Sequence, residues 1–150
     1  MHRIPWPGNE ITASRNLRAI LAGLLLAALA ILARADDFLS PGMTPSELQA
    51  RLGSPDAPLV VDLRAPAEYR IAHIPGALNV PSTELENRIE ELRSANGVVI
   101  YCLNGTRTRQ AEPVLYAHEI ENFYHLEGTL QAWLKQKLPY EKGGATSAGW

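Results

Sequence analysis

Residues 98–111 read VVIYCLNGTRTRQA, and this stretch decides the fold. Val98 to Tyr101 is a run of β-branched and aromatic residues of the kind that forms a buried strand. Asn104-Gly105 marks a tight loop, and from Arg107 to about His118 the sequence supports a helix. Pro113 lies inside that helix, where it removes a backbone hydrogen bond and is expected to introduce a kink. Between strand and helix stands Cys102, the chain's one cysteine.

The same alternation extends in both directions. Upstream, Thr44-Pro45-Ser46-Glu47 is a capping box with proline at the first helical position, followed by Leu48 and Leu52. Leu59 to Leu63 reads as a strand apolar on both faces, as expected when helices cover both sides. Pro66 to Arg70 suggests a helical turn, and Pro75-Gly76 resets direction before a short strand from Ala77 to Val80. Thr83 and Glu86 form a second capping box ahead of Leu85, Ile89 and Leu92, and Asn96-Gly97 turns the chain into Val98. Downstream, Asn122 to Leu126 is a further strand, and Thr129 is placed to cap a last helix bearing Leu130, Trp133, Leu134 and Leu138. Strands alternating with helices predict an α/β fold: a mostly parallel sheet with helices on both faces. Ligands collect at the carboxyl ends of such strands. Asp62 and Cys102 each fall at that end of a different strand.

The first 35 residues have another character. Ala19 to Ala33 is fifteen residues of Ala, Leu, Ile and Gly, with Arg15 and Arg18 before it and Ala33-Arg34-Ala35 at its exit. A positive flank, a short apolar stretch and a small-residue exit describe a secretory signal peptide. A membrane anchor is the alternative, although a span takes roughly 17 to 25 apolar residues. Cleavage after Ala35 would export the domain, to the periplasm, and membrane association would follow only if the leader stays uncleaved. Whole-chain charge is −2, and removing four arginines and one glutamate leaves 10 basic against 15 acidic residues. A chain this acidic, without a basic stripe, does not suit nucleic acid. The remaining 115 residues suffice for one core.

A lone cysteine cannot close an intramolecular bridge, and in an oxidising compartment it risks oxidation. Free cysteine is often simply packed. Here, however, Cys102-Leu103-Asn104-Gly105-Thr106-Arg107 leads from a strand directly into a helix. Backbone N–H groups of such a loop can converge on an anion, the helix adds its positive dipole end, and Gly105 supplies the freedom to curl. Arg107 and Arg109 are expected to add positive charge at the rim. Those are the conditions that stabilise a thiolate.

Three segments, VVDLRAPAEYRIAHIPGALNVP (60–81), VVIYCLNGTRTRQA (98–111) and FYHLEGTLQAWLKQKLP (123–139), together resemble a single-domain rhodanese-type sulfurtransferase. The resemblance runs from Thr44 to Pro139. It divides the chain into a leader (1–35), a rhodanese-like domain (36–140) and a loose tail (141–150). It implies that Cys102 takes a sulfane sulfur from a small donor, thiosulfate or a persulfide, and passes it to cyanide or a thiol acceptor. Leu103, Asn104, Gly105, Thr106 and Arg107 would bind the substrate, with Arg107 on the donor's sulfonate and Arg109 a weaker candidate for the same task. No metal or organic cofactor is implied. Asp62, Arg64 and His73 are expected to be hydrogen-bonded supports rather than reacting groups.

The chain departs from the pattern of the family it resembles at four points. Leu103 stands where many carry a polar or basic residue, and the loop lacks the C-G-x-G-x-[ST] pattern of mercaptopyruvate-using members. Pro113 is unusual, and Thr129 replaces a common second glycine without an expected functional effect. Two other functions compete. Phosphatases and arsenate reductases on this scaffold use C-x5-R, but here that position is Thr108 and Arg107 comes one residue early. A non-catalytic binding module, or a slow persulfide relay for an exported protein partner, is the other.

Overall fold

The computed structural model describes residues 38–144. The leader read in residues 1–35 and the end of the tail, 145–150, lie outside the described residues.

Five parallel strands form one sheet in the order β1-β5-β4-β2-β3, with β1 at Gly42–Met43, β2 at Leu59–Asp62, β3 at Leu78–Asn79, β4 at Val98–Tyr101 and β5 at Phe123–Leu126. The connections carry helices α1 (Pro45–Arg51), α2 (Pro66–Ile71), α3 (Thr106–Ala117) and α4 (Thr129–Lys135), and a 3₁₀ helix over Glu86–Leu92. The sheet is all-parallel rather than mostly parallel, and the expected helical layers are present. β4 lies at its centre, fully buried, paired with β2 through Val61↔Ile100 and with β5 through Val99↔Tyr124.

Alternate residues of β4 point into different cores. Val98, Ile100 and Cys102 pack with Leu85, Leu92, Ala111 and Leu115, beneath the 3₁₀ helix and α3. Val99 and Tyr101 pack with Leu48, Tyr69, Leu130 and Trp133, beneath α1, α2 and α4. This is the period-2 geometry of a strand between two apolar layers.

Local signals were followed in part. The Thr44 capping box forms, with Thr44 accepting from Glu47 N and Glu47 accepting from Thr44 N. The Thr83 box does not: residues 82–85 are turns, and the following segment is 3₁₀, interrupted at Arg88. Arg88 instead donates to the Asn79 carbonyl and pairs with Glu91, which ties the segment to the end of β3. Helix α3 continues unbroken through Pro113, which faces solvent so that the carbonyl it frees can be hydrated. At the start of the expected tail, Glu141 exchanges two backbone hydrogen bonds with His73 and Gly143 N donates to Arg70 O.

At the carboxyl end of β2 lies a buried ion pair. Arg64 reaches the Asp62 carboxylate through Nε and Nη2, at 2.6 Å for the shortest contact, and donates to the Ala72 carbonyl. Burial works against the Arg64 charge, but the hydrogen bond to Asp62 and its negative charge more than reverse that and raise its pKa. Asn79, also buried, bridges the Asp62 and Arg64 carbonyls from β3. Asp62→Ala leaves a guanidinium buried alone and is expected to cost about 3–5 kcal/mol. Urea denaturation measures it, and Asp62→Ala with Arg64→Met should recover part of the loss.

Candidate active site

β4 ends at Tyr101 and α3 begins at Thr106, so the connecting loop is only Cys102 to Gly105. The loop folds so that Gly105 N donates to Cys102 Sγ at 3.1 Å. Gly105 makes this possible with φ +89°, a left-handed conformation that glycine adopts without strain. Two outside contacts hold the loop carbonyls. Leu130 N donates to Cys102 O at 3.1 Å, and Thr129 Oγ1 donates to Leu103 O at 2.5 Å. Thr129 therefore ties α4 to the cysteine loop and does not cap its own helix; the residue in that position is Gly128.

Cys102 is 0% exposed. Burial pushes its thiol pKa up. The Thr108 hydroxyl and N–H, then the Asn104 and Gly105 N–H groups, push it down by more, and the net shift is downward. Thr108 lies in the first turn of α3, buried, and its hydroxyl has no hydrogen-bond partner of good geometry at rest. That leaves it free to serve a charged sulfur. The sequence reading did not assign Thr108 to the site. Its position six residues after Cys102, on the inward face of the helix, is the signal that could have done so.

The other expected site residues separate into groups. Leu103 is 39% exposed at the surface of the loop. Asn104 Oδ1 accepts from Thr106 N at 3.3 Å, which turns that N–H inward on the loop itself. Arg107 is held by Glu68 of α2 in a two-pronged pair, Nη2–Oε2 3.0 Å and Nη1–Oε1 3.3 Å. It lines a recess of about 190 Å³ with Leu63, Pro66, Pro81, Ser82 and Glu84, at the carboxyl ends of β2 and β3. Arg109 does not join it at the rim. Its guanidinium lies over the Phe38 ring, 5.3 Å from the centroid, and across the outer face of Gly105. His73 stacks on Tyr69, its Nδ1 is 2.8 Å from Tyr69 O, and Nε2 is 3.5 Å from Glu141. None of those partners belongs to the cysteine loop.

Two larger cavities, about 440 and 620 Å³, open beside Val98 and Leu59, the first residues of β4 and β2. They lie at the opposite end of the strands from Cys102, where an α/β sheet does not ordinarily place its chemistry.

Residues 44–136 match the profile of the Rhodanese-like domain. The chain belongs to the rhodanese-like family. It is 36% identical to a sulfurtransferase of Allochromatium vinosum over 92 residues, 61% of this chain and 86% of that protein. It superimposes on thiosulfate sulfurtransferase from Pseudomonas aeruginosa with a TM-score of 0.63 at 31% identity, covering 71% of this chain but only 20% of that longer one. The Alr3790 protein from Anabaena sp. gives a TM-score of 0.61 at 28% identity, over 67% of this chain and 82% of its own.

The Glu68 pair leaves Arg107 with its charge compensated. Half-exposed ion pairs of this sort are worth about 0–1 kcal/mol. Glu68→Gln frees the guanidinium and should therefore tighten binding of a small oxyanion, with sulfite as the probe, by about two- to fivefold, with little change in melting temperature. Calorimetric titration of the anion against both proteins reads the difference.

Proposed function

We propose that the protein is a sulfurtransferase in which Cys102 carries the sulfur. The observation that supports this most directly is the Gly105 N–H aimed at Cys102 Sγ at the head of α3, with the thiol pKa below its ordinary value. The Cys102 thiolate attacks the outer sulfur of thiosulfate. A new S–S bond forms to Cys102, and the old S–S bond breaks with its electron pair leaving on sulfite. The persulfide anion left on Cys102 carries its charge one bond further out, toward the Thr108 hydroxyl and the head of α3. Cyanide or an acceptor thiolate then attacks that terminal sulfur and restores the Cys102 thiolate. Splitting one transfer into two displacements at one atom gives ping-pong kinetics. The donors around the sulfur are fixed before it becomes charged, so little reorganisation opposes the step.

A slower persulfide relay, loaded or emptied by a protein partner, is the second reading. Two features favour it: the sulfur is sealed from solvent, and Arg107, the cation expected on the donor, is already paired. Read as an export signal, residues 1–35 would put either reaction outside the cytoplasm, in the periplasm.

Thiosulfate-to-cyanide transfer by the full chain, beside Cys102→Ala, tests the proposal. Thiocyanate from the parent and none from the variant is the expected result, with about +32 Da on Cys102 after thiosulfate alone, as one carried sulfur requires. A folded parent that forms neither product nor adduct would sink it, and an adduct without turnover would favour the relay.

A further inference from the structure

Glu112 has no part in the sulfur transfer proposed above, yet it is a carboxylate only 1% exposed. It stands one turn after Thr108 on the buried face of α3. Its oxygens take three donors from the segment that precedes β1: Leu39 N at 2.7 Å, Ser40 N at 3.2 Å and Ser40 Oγ at 2.5 Å. His125 of β5 closes the cluster, with Nδ1 3.2 Å from Ser40 Oγ and 3.1 Å from Ser40 O. A lone buried charge would be costly, and an apolar side chain of similar volume would often be at least as stable there. What the carboxylate supplies is a fixed anchor for two successive backbone N–H groups and a hydroxyl.

The anchored segment includes Phe38, which lies against the cysteine loop. The ring stacks on His125 at 3.8 Å and 14°, and Arg109 covers it. Its Cζ is 3.1 Å from the point where a Cβ on Gly105 would stand, so it backs the outer face of Gly105 directly. Gly105 is the residue whose N–H meets Cys102 Sγ. The path therefore runs from a buried carboxylate, through a clamped strap, to the donor on the sulfur.

We propose that Glu112 and Phe38 are positioning residues for Cys102: the carboxylate fastens residues 38–41 across the back of the loop, and the Phe38 ring holds Gly105 with its N–H on the sulfur. The proposal rests on Cys102 being the reactive group. Without the ring, Gly105 gains the freedom its missing side chain allows, and the sulfur loses its best-aligned donor. The titratable groups around the strap are Glu112, His125 and Arg109, with Glu127 acting on His125 through its charge.

The test measures the rate of Cys102 alkylation by iodoacetamide against pH in the full chain, for Phe38→Ala, Phe38→Leu and Glu112→Gln, together with melting temperature. Phe38→Ala should raise the alkylation midpoint by about half a pH unit or more and slow persulfide formation about three- to tenfold at neutral pH, as loss of a thiolate donor does. Phe38→Leu should recover part of both. If Glu112→Gln fails to fold, the Phe38 variants decide alone, because the carboxylate clamp stays intact in them. A folded Phe38→Ala protein with the parent's midpoint and persulfide rate would overturn the proposal. A parent that transfers no sulfur would sink the sulfurtransferase reading, while the alkylation comparison would still judge the strap.

Discussion

A central strand, buried on both faces and hydrogen-bonded on both edges, runs into a helix after four residues of loop, and the site depends on that constraint. β4 cannot shift along its axis without breaking register with β2 and β5 together. The position of Cys102 is thereby set to within the give of a packed core. Helix α3 is held from the other side by Ala111 and Leu115 in the core shared with Cys102. Strand and helix each have one place to be, and the loop must close the gap. Gly105 in the left-handed region is the closure that brings an N–H back onto the sulfur. Thr129 and Leu130 then hold the loop's carbonyls, so the neighbouring helix α4 also takes part in aiming that N–H.

Among the described residues, hydrogen-bonded charge is buried at the carboxyl end of β2 and on the inner face of α3. Asp62 and Arg64 stiffen the end of β2 beside Tyr101, whose hydroxyl pKa is raised well above its ordinary value by burial and by the Asp62 charge. Glu112 stiffens the far side through the strap. Apolar side chains of similar volume are often at least as stable in such positions. Hydrogen bonds to carboxylates, however, are short and directional, and they fix backbone positions more sharply than packing does. A site that depends on one N–H at 3.1 Å needs that sharpness.

Most of the frame was legible in the sequence because it is written locally. Val98–Tyr101 was read to the residue, and β2, α3 and β5 to within one, since apolar runs bounded by Gly and Asn leave little choice. The Thr44 box formed because it sits on an exposed helix start with no competing partner. β1 was not foreseen: two residues carry no period, and only pairing with His125 and Leu126 makes them a strand. The Thr83 box did not form, and Arg88 is instead tied to the Asn79 carbonyl, a contact between elements. At the site, Cys102 and Gly105 announce themselves through the strand-loop-glycine pattern. Asn79, Thr108, Glu112 and Phe38 do not, because each acts through a partner that only the fold brings near. The charge of Arg109 was legible, but the Phe38 ring beneath its guanidinium was not.

The size of the loop bears on what it can hold. A tetrahedral oxyanion needs amides radiating around an atom beyond the sulfur, and a guanidinium closing the ring. Here the Gly105 N–H is spent on the cysteine's own sulfur, the Thr106 N–H is turned onto Asn104, and Arg107 is clasped by Glu68. Three groups that an oxyanion would require are committed elsewhere. What remains open to the sulfur is the Thr108 hydroxyl and the end of the α3 dipole, and both favour a single added anionic atom. A persulfide adds one such atom and places its charge one bond along the line the thiolate already occupies. The short spacing between Cys102 and Arg107 accordingly favours a single added sulfur atom over a phosphate.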